Sequence, residues 1–225
     1  MPAAVETVMS GPRRPWPDGA ARYHLVVRVL FVCTANICRS PMAAALFAAH
    51  ARHRRAAPEV SSAGTDAGRP SIPDTVPPEV TEVMAGFAID LGGHRGRELT
   101  ASALVDADLV IGMGRRHVRE AVVLDPASFT RAFTLTELVE RGVLVGPRSA
   151  DQDVGSWIGA VHGDRTRQAL GRRSDADDIA DPYGGPLAGY RSTASELDRL
   201  TGQLAMLLWP EQDRQPRLGG NDPLV

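Results

Sequence analysis

The chain has 225 residues, a length that suits one domain or one domain with extensions. Hydrophobic residues make up 43% of it and charged residues 23%, as in a soluble globular protein, and the net charge of −2 excludes a strong overall attraction to nucleic acid. No run of about 18 apolar residues could span a membrane, and residues 1–24 lack the apolar core of a secretory signal.

The first predicted strand leads into a polar loop and then a helix. Residues 25–32 are β-branched and apolar with one charge, which is typical of a strand buried on both faces. Residues 41–50 favour a helix, with Pro41 in the first turn, where proline is tolerated. Residues 33–40 are therefore predicted to be a strand-to-helix loop.

The rest of the chain alternates between predicted strands and helices. Residues 146–178 are polar around one apolar stretch at 154–161, and we interpret them as a helical insertion. One domain is expected over 25–209. It lies between a tail at 1–24, which is expected to be disordered, and a second tail at 210–225. The alternation favours an α/β fold, a parallel sheet with helices on both faces. Further strands are predicted at 60–64, 107–113 and 131–135, and further helices at 75–87, 115–124, 136–141 and 189–209.

The cysteine content indicates a reducing, cytoplasmic setting. Cys33 and Cys38 are the two cysteines, five positions apart. The disulfide framework of a secreted fold needs distant pairs, so both thiols are expected to be reduced and available for chemistry. Two small buried hydrophobic side chains are the plainer interpretation.

The predicted loop carries the pattern C-x5-R followed by serine, from Cys33 to Ser40. Because Arg fills 25 of 225 positions, the pattern alone is weak. Its place between a buried strand and a helix start strengthens it, since ligands bind there in open α/β sheets. An ordinary strand-to-helix turn with a buried cysteine is the structural alternative.

Each residue type in this loop suits a phosphate site. Inward backbone N–H groups and the helix N-terminus attract an anion, and the same field favours the thiolate of a cysteine. Arg39 can grip two phosphate oxygens in a bidentate fork, which Lys could not do. Ser40 can donate a hydrogen bond to the thiolate, and Asn36 tolerates left-handed backbone angles while its amide ties the loop.

A phosphate ester also needs an acid that protonates its leaving group. The candidate is Asp181, which Pro182 holds in an extended loop. Asp125-Pro126 and Asp222-Pro223 have the same dipeptide, and sequence spacing does not choose among the three.

The motifs together resemble those of the low-molecular-weight protein-tyrosine phosphatases, over roughly 27–140 and 178–208. The landmarks come in the family's order, and such a series is far more specific than the loop alone. They are Val29–Cys33 with Asn36–Ala43, then Ser62–Thr65 with Gly68 and Pro70, His94–Arg97 with Leu99, Ala107–Val110, and Asp181–Gly184.

The resemblance implies hydrolysis of phosphotyrosine or another aryl phosphate through a cysteinyl-phosphate intermediate. It implies a four-stranded parallel sheet flanked by helices, to which our interpretation of 146–178 adds a helical insertion before the acid loop. Cys33 becomes the nucleophile, Arg39 the phosphate clamp and Asp181 the acid. No metal or organic cofactor is implied; the partner is a phosphorylated protein, with no nucleic acid and no membrane, and the oligomeric state stays open. The implied phosphate- and substrate-binding residues are Thr34, Ala35, Asn36, Ile37, Cys38, Ser40 and Tyr183.

Departures from the family pattern bear on specificity. Ala35 stands where the family usually has Gly, which predicts slight strain, and Gly184 follows Tyr183 where a second aromatic is frequent. An arsenate reductase would need cysteines downstream of Cys38, and a phosphoarginine phosphatase resembles the family with Thr in place of Ile37. A non-catalytic phosphate-binding regulatory module is the third alternative. The family also implies that Cys33 and Cys38 can approach within disulfide reach.

Three further side chains are expected to have structural roles. His94 can brace the loop or serve as a satisfied structural histidine, and His117 is expected at the surface. Trp157 can cover the mouth of the predicted phosphate-binding pocket or pack the insertion, and packing is the preferred interpretation.

Overall fold

The computed structural model describes residues 26–171 and 175–210, so the predicted tails lie outside it apart from Pro210. Four strands are described: β1 (Arg28–Cys33), β2 (Glu59–Gly64), β3 (Leu109–Gly112) and β4 (Ala132–Thr134). The helices are α1 (Arg39–His53), α2 (Pro78–Ala85), α3 (Ala101–Asp106), α4 (Arg115–Leu124), α5 (Leu135–Val145), α6 (Val154–His162), α7 (Arg167–Gly171) and α8 (Leu187–Leu208), with a 3₁₀ helix at Pro126–Arg131.

The described strands form one parallel sheet in the order β2-β1-β3-β4. Cys33, the last residue of β1, is in register with Gly64 at the end of β2. The strand order reverses at β1, because β2 lies on one side of it and β3 on the other. Ligands bind at such a switch point, beyond the carboxyl ends of the strands. The sheet therefore places the Cys33 loop at its natural binding edge.

Alternate side chains of β1 reach opposite faces of the sheet, and helices cover both. Val29 and Phe31 belong to the core formed with α1, α2, α5, α6 and α8, whereas Leu30 and Val32 belong to the core formed with α3 and α4. This two-faced burial is the physical cause of the continuous apolar run in the first strand. The predicted fold class is confirmed.

Several predicted boundaries shift for identifiable reasons. Helix α2 begins at Pro78, not at Thr75, because a residue that precedes proline is excluded from helical angles and both Pro77 and Pro78 stand here. Helix α3 was not predicted; its start is capped by Thr100, whose hydroxyl accepts a hydrogen bond from the Ala103 N–H at 3.2 Å.

The stretch at 146–178 contains α6 and α7. Trp157 on α6 is 1% exposed, and its indole N–H donates to the Gly146 carbonyl at 2.9 Å. The preferred interpretation is thus confirmed: Trp157 packs the helix and does not line the cleft. Within the described part of the chain, no helix combines the length and apolarity that crossing a bilayer requires.

Candidate active site

The Cys33 thiol lies at the base of the loop that joins β1 to α1, and it is 3% exposed. Its sulfur is 3.0 Å from the Ser40 hydroxyl oxygen and accepts from the Asn36 N–H at 3.3 Å. The Asn36 amide donates to the same hydroxyl oxygen at 2.9 Å, so the Ser40 hydrogen can go to the sulfur or to the Ala63 carbonyl oxygen, which is 3.4 Å away. Two hydrogen-bond donors can therefore face Cys33 Sγ.

The loop turns at Asn36, which adopts a left-handed backbone conformation with φ of 58°. Its side-chain oxygen accepts from the Arg97 N–H at 3.0 Å, and its carbonyl is 2.8 Å from His94 Nε2. The positive φ of the loop falls on Asn36 and not on Ala35, and asparagine tolerates it; the slight strain expected in the loop stays a prediction. Gly64 permits the close approach of the loop, since a Cβ there would lie 2.6 Å from the Thr34 carbonyl oxygen.

The Arg39 guanidinium is held behind the loop by contacts on several sides. Its Nη1 donates to the Ile179 carbonyl at 3.2 Å, and Nη2 donates to the Thr34 hydroxyl at 3.4 Å and to an Asp181 carboxylate oxygen. The guanidinium side chain is 9% exposed. Arg39 opens α1, where backbone N–H groups lack intrahelical partners, so cationic and dipolar donors converge at one point.

The Asp181 carboxylate reaches Arg39 from a loop near the far end of the chain, and its side chain is 47% exposed. The end of β3 holds this loop: the Ile179 N–H donates to the Met113 carbonyl at 2.9 Å, and the Arg115 N–H donates to Asp178 Oδ1 at 2.8 Å. A second ion pair joins Arg115 to Asp177. The loop is thus docked on a neighbouring strand end.

Of the other two Asp-Pro dipeptides, one is placed away from this cleft. Asp125 pairs with Arg131 at 3.0 Å and caps the 3₁₀ helix through the Ala127 N–H. Asp222 lies outside the described residues. Asp181 is the one that the described structure brings to Arg39 and Cys33.

The cleft above Cys33 is lined mainly by apolar side chains. Ile37 and Cys38 line it together with Cys33, and Tyr183, which is 55% exposed, borders it beside Asp181. Ile72 and Pro73 also line it, and the sequence analysis missed both. Both belong to the segment after β2, residues 65–77, which contains no Trp or Tyr.

Two histidines contact the loop, and the sequence analysis anticipated only one of them. His94 braces Asn36, and burial lowers its pKa. The expectation that His117 lies at the surface is wrong: it is 4% exposed, and its Nε2 is 3.1 Å from the Thr34 hydroxyl. Its position directly after the third predicted strand is the available signal, because the carboxyl ends of adjacent parallel strands meet at one edge.

Electrostatics distinguish the remaining titratable groups of the site. Burial, with a smaller contribution from the Arg39 charge, lowers the pKa of His117 to about 4, so the ring is neutral at pH 7. Burial, helped by the nearby Asp181, raises the pKa of the Cys38 thiol to about 12, so it is protonated there. Both cysteines are free thiols. The arrangement offers a buried sulfur, an arginine fork and a carboxyl group around one apolar cleft.

Known proteins resemble both the sequence and the fold. The model of the family described as low molecular weight phosphotyrosine protein phosphatase matches residues 28–144. The chain is 41% identical over 118 residues to the probable low molecular weight protein-tyrosine-phosphatase EpsP of Ralstonia solanacearum, covering 51% of this chain and 74% of that protein. It is 32% identical to the protein-arginine-phosphatase of Bacillus subtilis (strain 168), over 83% of this chain and 99% of that protein.

Solved structures show the same relationship. A low molecular weight protein tyrosine phosphatase from T. tengcongensis has a TM-score of 0.57 and 33% identity, over 79% of this chain and 97% of that one. A cysteine-to-serine variant of the YwlE arginine phosphatase, with a phosphorylated active-site serine, has a TM-score of 0.60 and 28% identity, over 83% of this chain and 98% of that one.

Proposed function

This chain belongs to the low-molecular-weight protein-tyrosine phosphatase family, and from that premise we propose that it removes phosphoryl groups from aryl phosphates, phosphotyrosine in proteins foremost. Cys33 is the nucleophile, Arg39 the phosphate clamp and Asp181 the general acid. The observation that carries the proposal is the convergence of these three side chains on one cleft, although Asp181 is separated from Arg39 by 142 positions in the chain. That convergence favours catalysis over a non-catalytic phosphate-binding module.

In the first step, the Cys33 thiolate attacks phosphorus from the base of the cleft. The S–P bond forms as the bond between phosphorus and the leaving oxygen breaks, and Asp181 gives that oxygen a proton. Arg39 and the backbone N–H groups of the loop stabilise the equatorial oxygens. Asp181 must carry a proton to act as the acid. The ion pair between Asp181 and Arg39 therefore has to open when the phosphoryl oxygens bind the guanidinium.

In the second step, water attacks phosphorus and the S–P bond breaks. Asp181, now a carboxylate, takes the proton from that water, and inorganic phosphate leaves. The electron pair returns to Cys33 Sγ, where the Ser40 hydroxyl and the Asn36 N–H stabilise it. A cysteine-to-serine variant of the related arginine phosphatase carries a phosphorylated serine, which supports a covalent route for this chain.

The walls of the cleft support an aryl substrate. Ile37, Ile72 and Pro73 offer apolar contacts to a flat ring, and Tyr183 borders the same space. Cys33 is buried at the base, so a substrate needs a side chain long enough to bring phosphorus to the sulfur. We therefore expect phosphotyrosine to reach the sulfur and phosphoserine to be too short.

The substrate class can be measured with matched peptides that carry phosphotyrosine, phosphoserine or phosphoarginine. We expect kcat/KM for phosphotyrosine to exceed that for phosphoserine by more than about 100-fold, because the missing ring contacts and the short reach both weaken transition-state binding. Comparable values for the two peptides would contradict the assignment. Arsenate reduction, assayed alongside, is expected to be absent, since the sequence has no cysteine after Cys38 to relay electrons.

Phosphoarginine hydrolysis is the second candidate function, because the Bacillus relative with that name aligns over 99% of its length. Ile37 tests it, since the family resemblance implies a threonine hydroxyl at this position in a phosphoarginine phosphatase. We expect Ile37→Thr to raise the ratio of phosphoarginine to phosphotyrosine turnover. A wild-type enzyme that already prefers phosphoarginine, with the preference unchanged in Ile37→Thr, would favour the second function.

Reversible inactivation by peroxide is expected, and it depends on Cys38. Peroxide oxidises the Cys33 thiolate to a sulfenic acid, with water as the product, and Cys38 then displaces water to form a disulfide. Because the pKa of Cys38 is raised, this capping should accelerate as the pH rises from 7 to 9.

The measurement compares wild type with Cys38→Ser after peroxide and then dithiothreitol, each relative to its own untreated activity. Wild type should recover and show an intramolecular bridge by mass spectrometry, whereas Cys38→Ser should recover far less. Bound phosphate should protect both. Equal recovery of the two proteins would leave Cys38 with a packing role. Such thiol chemistry suits the cytoplasm, which is where we place the protein.

A further inference from the structure

The Thr34 hydroxyl that contacts Arg39 is itself contacted by His117, a residue outside the loop motif. We infer that His117 is a positioning residue for Arg39, acting through the Thr34 hydroxyl. The inference rests on the proposed function, because it concerns the alignment of the same phosphate clamp. It begins from a hydrogen-bonded chain: His117 Nε2 lies 3.1 Å from Thr34 Oγ1, which in turn accepts from Arg39 Nη2 at 3.4 Å.

A phosphate clamp needs its guanidinium plane fixed. Two N–H groups must meet equatorial oxygens, so the remaining contacts have to set the position and tilt of the fork. In Arg39 these contacts are the Ile179 carbonyl and the Thr34 hydroxyl, because Asp181 must change partner during the reaction. A free threonine hydroxyl would rotate about its side-chain bonds. His117 removes that freedom.

The histidine itself is rigidly placed. It stands in the first turn of α4, is 4% exposed, and follows the tight end of β3. A Cβ at Gly112 would lie 3.2 Å from His117 Cβ and 2.9 Å from Val118 Cγ2, so glycine there lets the helix approach the strand closely. The ring thus meets Thr34 from a packed helix, across 83 positions of sequence.

The charge state of the ring suits this role. A buried imidazolium beside Arg39 would repel the guanidinium, and burial together with the Arg39 charge keeps the ring neutral at pH 7. A neutral ring nitrogen can donate to the hydroxyl or accept from it, and either arrangement fixes Thr34 Oγ1. The same strand end also holds the second contact of Arg39, since the Met113 carbonyl accepts from the Ile179 N–H at 2.9 Å.

The test is a double-mutant cycle with p-nitrophenyl phosphate as substrate and inorganic phosphate as the ligand. Thr34→Val and His117→Phe remove the hydroxyl and the ring nitrogen with little change of shape. Each should lower kcat/KM by about 10- to 100-fold and weaken phosphate binding, measured by calorimetry, in parallel. The kcat/KM of the double variant should be no lower than that of the less active single variant, because both substitutions interrupt the same series of hydrogen bonds.

Conservative variants distinguish positioning from folding. Thr34→Ser keeps the hydroxyl, and His117→Gln keeps a polar atom near Nε2, so both should retain activity within about threefold. His162→Phe applies the same exchange to a histidine on α6, which packs against Phe129 and Phe133 away from the cleft, and should leave kcat/KM unchanged. Should His117→Phe not fold, His117→Leu, which also removes the ring nitrogen, takes its place in the cycle with Thr34→Val.

Multiplicative losses in the double variant, or normal phosphate affinity in both single variants, would overturn the inference. A loss in melting temperature alone, with unchanged kcat/KM and phosphate binding, would also overturn it. Failure of the proposed function looks different, because wild type itself would then not turn over the aryl phosphate. The calorimetric comparison still decides the role of His117 in that case.

Discussion

Replacing Cys33 by serine is expected to lower kcat/KM on p-nitrophenyl phosphate by at least about 10⁴-fold, the scale on which loss of a nucleophile acts. The groups that the described structure places within hydrogen-bond distance of this position, the Ser40 hydroxyl and the Asn36 N–H, are not bases that could activate a serine hydroxyl. The substitution changes a single atom, so the loop should keep its hydrogen bonds and its affinity for phosphate.

Three measurements make this result specific. Steady-state kinetics gives the loss, calorimetry with inorganic phosphate shows that the site still binds its anion, and thermal unfolding shows that the fold is kept. Cys38→Ser is the matched exchange five positions later, and because it retains the nucleophile its loss should be far smaller. Activity of Cys33→Ser within tenfold of wild type would refute the covalent mechanism.

The sequence predicts the Cys33 loop well because its parts are consecutive. A buried strand, a C-x5-R spacing and a helix start are local features, and they fix the neighbourhood of Cys33, Asn36, Arg39 and Ser40 without knowledge of the fold. The alternation of strands and helices likewise predicts the sheet, since each amphipathic segment has to bury its face. The sequence analysis does not predict short elements such as α3, because such elements depend on a cap and are too short to show a periodic pattern.

The parts of the site that the sequence misses come from elsewhere in the chain. His117 and Ile72 belong to segments with no chemical motif, and only the docking of those segments at the edge of the sheet brings them to the cleft. Asp181 lies between these two cases. The Asp-Pro dipeptide occurs three times in the sequence, and the family resemblance, not the spacing, distinguishes Asp181 from the other two. Tertiary contacts over long separations are the information that local patterns lack.

Replacing Asp181 by asparagine is expected to lower kcat/KM by about 10²- to 10⁴-fold on phenyl phosphate, the range over which a positioned acid contributes. The loss on p-nitrophenyl phosphate should be much smaller, because nitrophenolate is a good leaving group that needs little protonation. A plot of log kcat/KM against leaving-group pKa should therefore be steeper for Asp181→Asn than for wild type.

The ion pair with Arg39 adds a second signature to the same variant. In wild type the Asp181 carboxylate competes with the phosphoryl group for the Arg39 guanidinium, so its removal should leave phosphate affinity equal or higher even as turnover falls. Asp125→Asn is the matched control, because that carboxylate also precedes proline but pairs with Arg131. It should lower the melting temperature without changing the leaving-group slope. Equal losses on phenyl and nitrophenyl phosphate in Asp181→Asn would assign the acid to another residue.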